Sequence, residues 1–290
     1  MTRKRSNRIK RSNRIKSGNG IKRSNNRRKS RNNRRKGSNN RISIGLTNKK
    51  YFLTYGNAGF KKSRERLNNE ALNLNIFDKT IIESDITIKS DDEFKQALKN
   101  KNFKKVFNKK RGGGYWIWKP YIVYKHLKKL NNNDILVYAD AGCSIKKNSV
   151  KKFNETFNKL KKGNKKMMLN KLKPTEEYSS NQLKEKMWTK GDILNYYKVY
   201  NNNKILNERQ YEANRIFIIK NDKTMEIIKK WWNSAKEHPE LFDDSESKKP
   251  NKEGFIETRH DQSNISVLCK INGNCIGTDL GFISDSRIKD

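Results

Sequence analysis

An unbroken apolar run, Ile135-Leu136-Val137-Tyr138-Ala139, closes on a single carboxylate, Asp140. Such a run reads as a strand covered on both faces. The chain must therefore supply neighbouring strands, with helices above and below them. The upstream sequence does so. Residues 50–55 read as a first strand, and Gly56-Asn57-Ala58-Gly59 as the turn after it. Residues 62–74 carry Leu67, Ala71 and Leu74 at helical spacing, and residues 79–82 form a short apolar strand. Ser90 opens a second helix with Asp91 and Asp92 in its first turn, where acids suit the helix dipole. Pro120 fits the first turn of a third, whose stripe is Ile122, Val123, His126, Leu127 and Leu130. The order strand, helix, strand, helix, helix, strand predicts an α/β fold with a mostly parallel central sheet flanked by helices.

The same periodicities continue downstream. Val150, Phe153, Phe157 and Leu160 predict a helix over residues 149–160, and residues 167–172 a strand. Ile216 to Ile219 is a strong strand. Residues 224–235 form a helix whose Trp231 and Trp232 cap the core. The polar cluster Arg259-His260-Asp261-Gln262 leads into an apolar helical run.

Charge separates a tail from this body. The chain has 68 Lys+Arg against 30 Asp+Glu, a net charge of +38 over 290 residues. Residues 1–41 hold 18 of the basic residues and no acid, leaving 50 against 30. The hexapeptide RSNRIK stands at residues 5–10 and again, letter for letter, at 11–16, with degenerate copies after it. A segment with so little apolar surface cannot offset its ordering entropy, so residues 1–44 read as a disordered basic tail and 45–290 as the folded domain. The tail suits contact with a polyanion such as RNA or DNA. The three cysteines, an odd number, argue against a disulfide framework and for a reducing, cytoplasmic setting, with Cys269 and Cys275 as core or loop thiols. No apolar run approaches the roughly 18 residues of a membrane span, and the N-terminus lacks the apolar core of a secretory signal.

In open α/β sheets, ligands lie outside the carboxyl ends of the strands. Four clusters fit that place: Tyr55-Gly56-Asn57, the block Arg111 to Lys119 (RGGGYWIWK), Asp140-Ala141-Gly142, and Arg259 to Gln262. Together they offer glycines for close backbone approach, aromatic faces and cations, the needs of a nucleoside diphosphate. Neither GxxxxGK[ST] nor a strand followed by GxGxxG occurs, which counts against triphosphate and NAD sites. Trp116 and Trp118 are two apart, so one of them, not both, is expected to face the site.

The block RGGGYWIWKP, followed by DILVYADAG, QYEANRIFIIKND and RHDQSNISVLCK, resembles nucleotide-sugar-dependent glycosyltransferases of the GT-A type. The likeness is nearest to poorly characterised members found beside polysaccharide-synthesis genes and in giant viruses, which would place the protein in host cytoplasm or virion. It implies a Rossmann-like GT-A fold, a sugar-nucleotide donor and a glycan or protein acceptor. Asp140 matches the first acid of a DxD-like element, whose second acid falls on Gly142. A divalent ion, Mn²⁺ or Mg²⁺, would then draw on Asp140, His260 and phosphate oxygens; alternatively Lys119, Arg111 and Arg259 neutralise the diphosphate. Tyr55, Asn57, Arg64, Tyr115 and Trp118 join the implied donor contacts. For inversion, Asp261 is the candidate base, with Asp192 behind it; for retention, Asp261 or Gln262 flanks the anomeric carbon. Two other readings stand beside this one: a nucleic-acid-binding protein acting through its tail, and a catalytically inactive glycosyltransferase-like binding protein.

Overall fold

The computed structural model describes residues 48–285. The basic segment 1–44, with its expected disorder and polyanion contact, lies outside them. Six strands form one sheet in the order β2-β1-β3-β6-β5-β7: β1 (Lys50–Tyr55), β2 (Lys79–Glu83), β3 (Ile135–Ala139), β5 (Met167–Lys171), β6 (Tyr211–Ile219) and β7 (Cys275–Thr278). The pairs β1–β2, β1–β3 and β5–β7 are parallel, and β6 runs against both β3 and β5. Five strands therefore point one way and β6 the other. The expected mostly parallel α/β sheet is what the chain forms.

β3 sits centrally and is wholly buried. Its alternation divides the core. Leu136 and Tyr138 join the cluster that includes Leu53, Ile216 and Ile218, under α6 (Lys119–Lys129), α10 (Asp222–Glu237) and α11 (Asp261–Asn272). Ile135, Val137 and Ala139 join Phe52 and Phe217 on the other face, under α1 (Lys61–Leu72) and α7 (Val150–Lys162). Both tryptophans of α10 are buried as expected. Trp231 Nε1 also donates to the Asp261 carbonyl (3.1 Å), and Trp232 Nε1 to Glu93 (3.0 Å).

Several local expectations are corrected. Ser90 does not open a helix: it closes the short α2 (Asp85–Lys89), and Asp91 is the N-cap of α3 (Asp92–Lys99), accepting from the Glu93 N–H. A further helix, α4 (Lys101–Phe107), is capped by Asn100. The β6 strand begins at Tyr211 rather than Ile216, and β4 (Cys143–Ile145) pairs with β8 (Ile283–Asp285) in a separate ribbon. Cys269 and Cys275 form a disulfide. The tight turn from α11 into β7 brings their Cα atoms within 5.2 Å, which the odd cysteine count gave no means of foreseeing. Among the described residues, no helix is long and apolar enough to cross a membrane.

Candidate active site

The carboxyl ends of β1 and β3, the end of β5 and the start of the reversed β6 meet at one edge of the sheet. There they surround a cavity of about 420 Å³, within the range typical of small-ligand sites. β1 contributes Tyr55, Gly56 and Asn57; β3 contributes Asp140, Ala141 and Gly142; the start of β6 contributes Glu212, Ala213 and Asn214.

The wall opposite is a turn of unusual hand. Gly112, Gly113, Gly114, Tyr115 and Trp116 have φ of +60°, +58°, +101°, +51° and +56°. Five successive left-handed residues are costly for L-amino acids, about 1–2 kcal/mol at each non-glycine position. Glycine removes that penalty at the first three. Space forbids a side chain as well: a Cβ on Gly112 would lie 2.4 Å from the Trp116 ring, and one on Gly114 2.5 Å from the Phe107 carbonyl oxygen. The reversed turn delivers both Trp116 and Trp118 to the cavity. The expectation of only one came from counting faces on a regular element, and this segment is not one. Trp118 stacks on Tyr55 with centroids 3.7 Å apart, and its Nε1 donates to the Gly112 carbonyl (3.1 Å).

After that turn α6 begins at Lys119, whose ammonium is fully buried on the cavity floor. Its Nζ lies 3.0 Å from Asp140 Oδ1 and 2.7 Å from Asp261 Oδ2. The second contact is close enough for an ion pair but falls outside hydrogen-bonding geometry. Tyr138 donates its hydroxyl to Asp140. Burial works against the charged lysine, but the two carboxylates outweigh it and hold its pKa above the ordinary lysine value. Burial raises Asp261 to about 6; Lys119 only partly opposes this, and Asp140 adds to it. The cluster thus sets one ammonium against two carboxyl groups, and the Asp140 side chain is 26% exposed to the cavity.

The rim is cationic and braced. Lys110, Arg111 and Arg259 line it. Arg111 pairs with Asp244 (3.1 Å) and Glu257 (3.4 Å), and Arg259 with Glu257 (3.0 Å), its guanidinium 4.3 Å above the Trp188 ring. His260, at φ +50° and ψ −117°, is buried with Nε2 2.8 Å from Asp244. Burial lowers its pKa, against the pull of Asp244.

No known family model matches the chain, and no curated protein matches it in sequence. Solved structures do resemble it. A glycosyltransferase involved in glycosylation of the major capsid of PBCV-1 shares 13% identity with a TM-score of 0.42, over 80% of this chain and 81% of that one. Mouse xyloside xylosyltransferase 1, in its apo form, shares 10% at 0.43, over 79% and 85%. The galactosyltransferase LgtC, solved with donor and acceptor sugar analogues, shares 10% at 0.35, over 79% and 73%.

The cavity gathers Tyr55, Asn57, Arg111, Trp118, Lys119, Asp140, Gly142, His260, Asp261 and Gln262 from the residues singled out in the sequence. Three others are placed elsewhere. Arg64 donates to the Gly56 carbonyl and shapes the turn from behind. Tyr115 stacks on His260 with centroids 5.0 Å apart, outside the lining, and burial together with Asp244 raises its pKa. Asp192 accepts from the Lys248 and Lys249 N–H groups (2.9 and 2.8 Å), clasping the loop after residue 243. A base role for it is therefore set aside. The proposed metal pair fits poorly. Of the expected ligands, Asp140 is already paired with the Lys119 ammonium, and His260 Nε2 is committed to Asp244. Among the described residues, no group of three or more His, Cys, Asp or Glu is arranged to hold an ion. The sequence reading missed Asp244 and Glu257, which lie in an irregular loop without periodicity.

Proposed function

We propose that this chain is a glycosyltransferase that draws its sugar from a nucleoside diphosphate sugar. The observation that carries the reading is the buried Lys119, held between Asp140 and Asp261 on the floor of a cavity with a cationic rim. Glycosyl transfer passes through an oxocarbenium-like state while a diphosphate departs. The surplus negative charge of Asp140 and Asp261 complements the developing sugar cation. Arg111, Arg259 and Lys110 face the leaving diphosphate. Lys119, neutralised by these two carboxylates, fixes them on the floor, and the positive charge for the diphosphate comes from the rim. Asp261, ionised above about pH 6, takes the proton of the attacking hydroxyl.

The test is a thermal-shift and product-release screen of UDP- and GDP-sugars with the full chain. A donor that binds only the folded state raises the melting midpoint, and free UDP or GDP should accumulate. Asp140→Asn should bind nucleotide yet release it far more slowly. If only polyanions bind, and only while residues 1–44 are present, the enzyme reading is wrong.

A further inference from the structure

Gln262 lines the cavity one residue beyond Asp261. Its Nε2 donates to Gln210 Oε1 at 2.6 Å. Gln210 is fully buried and immediately precedes β6. Its own Nε2 faces acceptors: Glu185 Oε1 (2.9 Å), the Trp188 carbonyl (3.0 Å), Thr189 Oγ1 (3.0 Å) and Ser263 Oγ (3.4 Å). The two hydroxyls can only accept from it. Thr189 has given its proton to Glu185 (2.7 Å), and Ser263 has given its own to the Trp188 carbonyl (2.5 Å). Glu185, also fully buried, is fixed as an acceptor by the Lys270 ammonium at 2.5 Å and by the Ser266 hydroxyl.

This chain of donors has one polarity. A rotated Gln210 amide would turn its oxygen onto a carboxylate and a carbonyl, so its Nε2 must face them and its Oε1 must face Gln262. Gln262 must in turn commit its N–H₂ end to Gln210. We propose that Gln210 is a positioning residue that locks the Gln262 amide with its carbonyl oxygen as the end offered to a ligand. A fixed carbonyl oxygen at that point accepts from a hydrogen-bond donor, a hydroxyl of the sugar, and leaves a single N–H of the amide for any acceptor on the ligand. The cavity is then divided: hydroxyl recognition at Gln262, diphosphate at the arginine rim. The sugar assignment rests on the glycosyltransferase reading above; the locked amide does not.

Two measurements on the full-length protein test it. In the ¹⁵N-labelled chain, the Gln262 side-chain amide, assigned by its loss in Gln262→Leu, should exchange slowly with solvent. It should exchange fast in Gln210→Met. By calorimetry, both variants should weaken UDP-glucose, UDP-N-acetylglucosamine or GDP-mannose, whichever binds, by about tenfold, the worth of a hydrogen bond. UDP or GDP alone should change by less than about twofold. A freely exchanging Gln262 amide in the wild type overturns the proposal. So does equal weakening of the sugar nucleotide and the bare nucleotide. If no nucleotide binds, the enzyme reading falls while the amide measurement still decides the lock. Should Gln210→Met not fold, Thr189→Val removes one partner of Gln210 and should loosen the Gln262 amide to a lesser degree.

Discussion

Two buried lysines in this molecule sit in opposite electrostatic settings. Lys270 meets one carboxylate, Glu185, which is fully buried and also accepts from Thr189, Gln210 and Ser266. Its charges cancel and its oxygens are satisfied. Lys119 meets two carboxylates, leaving one negative charge in excess, and one oxygen of Asp261 lacks a well-aligned donor. Satisfied polar networks stiffen a fold, whereas partly satisfied ones are costly unless something else completes them. The contrast separates scaffold from site: the Lys270 cluster holds α11 against the strands, and the Lys119 cluster is left for a ligand to complete.

The largest effect expected is on folding. Lys270→Met strands a buried Glu185 carboxylate and should cost about 3–5 kcal/mol, lowering the melting temperature by on the order of 10 °C. Lys119→Met should cost less, because Asp140 reaches solvent and Asp261 can take up a proton, yet it should abolish donor turnover. Equal losses of melting temperature would erase the distinction. Asp140→Asn should reduce kcat by roughly 10²–10³ with a melting temperature close to that of the wild type.

The next difference is in pH dependence. Asp261 is raised to about 6, so the folded state holds that proton more tightly than the unfolded chain does. Its stabilising contribution is full at low pH and is lost as pH rises through about 6, a change on the order of 3 kcal/mol. Asp261→Asn should remove that slope from a denaturation series and also the rise of turnover through the same window. Glu83 works the other way: burial would raise it, but His126, Thr87 and Lys125 hold it down at about 2. Its contribution is present above the ordinary glutamate range and fades as pH falls toward 2, and Glu83→Gln should flatten that acid limb. The smallest contrast is between two glycines. Gly191→Ala would put a Cβ 2.2 Å from the Lys249 carbonyl oxygen and should cost about 1–3 kcal/mol. Gly142→Ala meets nothing within 4 Å and should change stability by less than about 0.5 kcal/mol in the same melts.

The sequence carried the centre of the sheet and most of the cavity floor in readable form. β3 is a run of apolar residues with one interpretation, Pro120 marks the start of α6, and Asp140, Lys119 and Asp261 lie at element ends where ligands gather. What escaped depends on contacts far apart in the chain. Asp192 looks like a free acid until residues 248 and 249 fold back over it. Gln210 reads as one polar residue before a strand, and its role appears only when Glu185, Thr189 and Gln262 converge on it. The triple glycine permits either hand, so the orientation of both tryptophans was not written in local propensity.

That turn, residues 112–116, winds in the mirror sense of an ordinary helix. D-alanine at residue 113, where φ is +58° and ψ +42°, would find the mirror image of the dihedral angles that L-alanine finds in a right-handed helix. Ribosomal synthesis offers no such residue, and achiral glycine is its only substitute. The wall of the cavity is therefore a place where the chain has set aside its own chirality, and a single methyl group of the natural hand is enough to undo it.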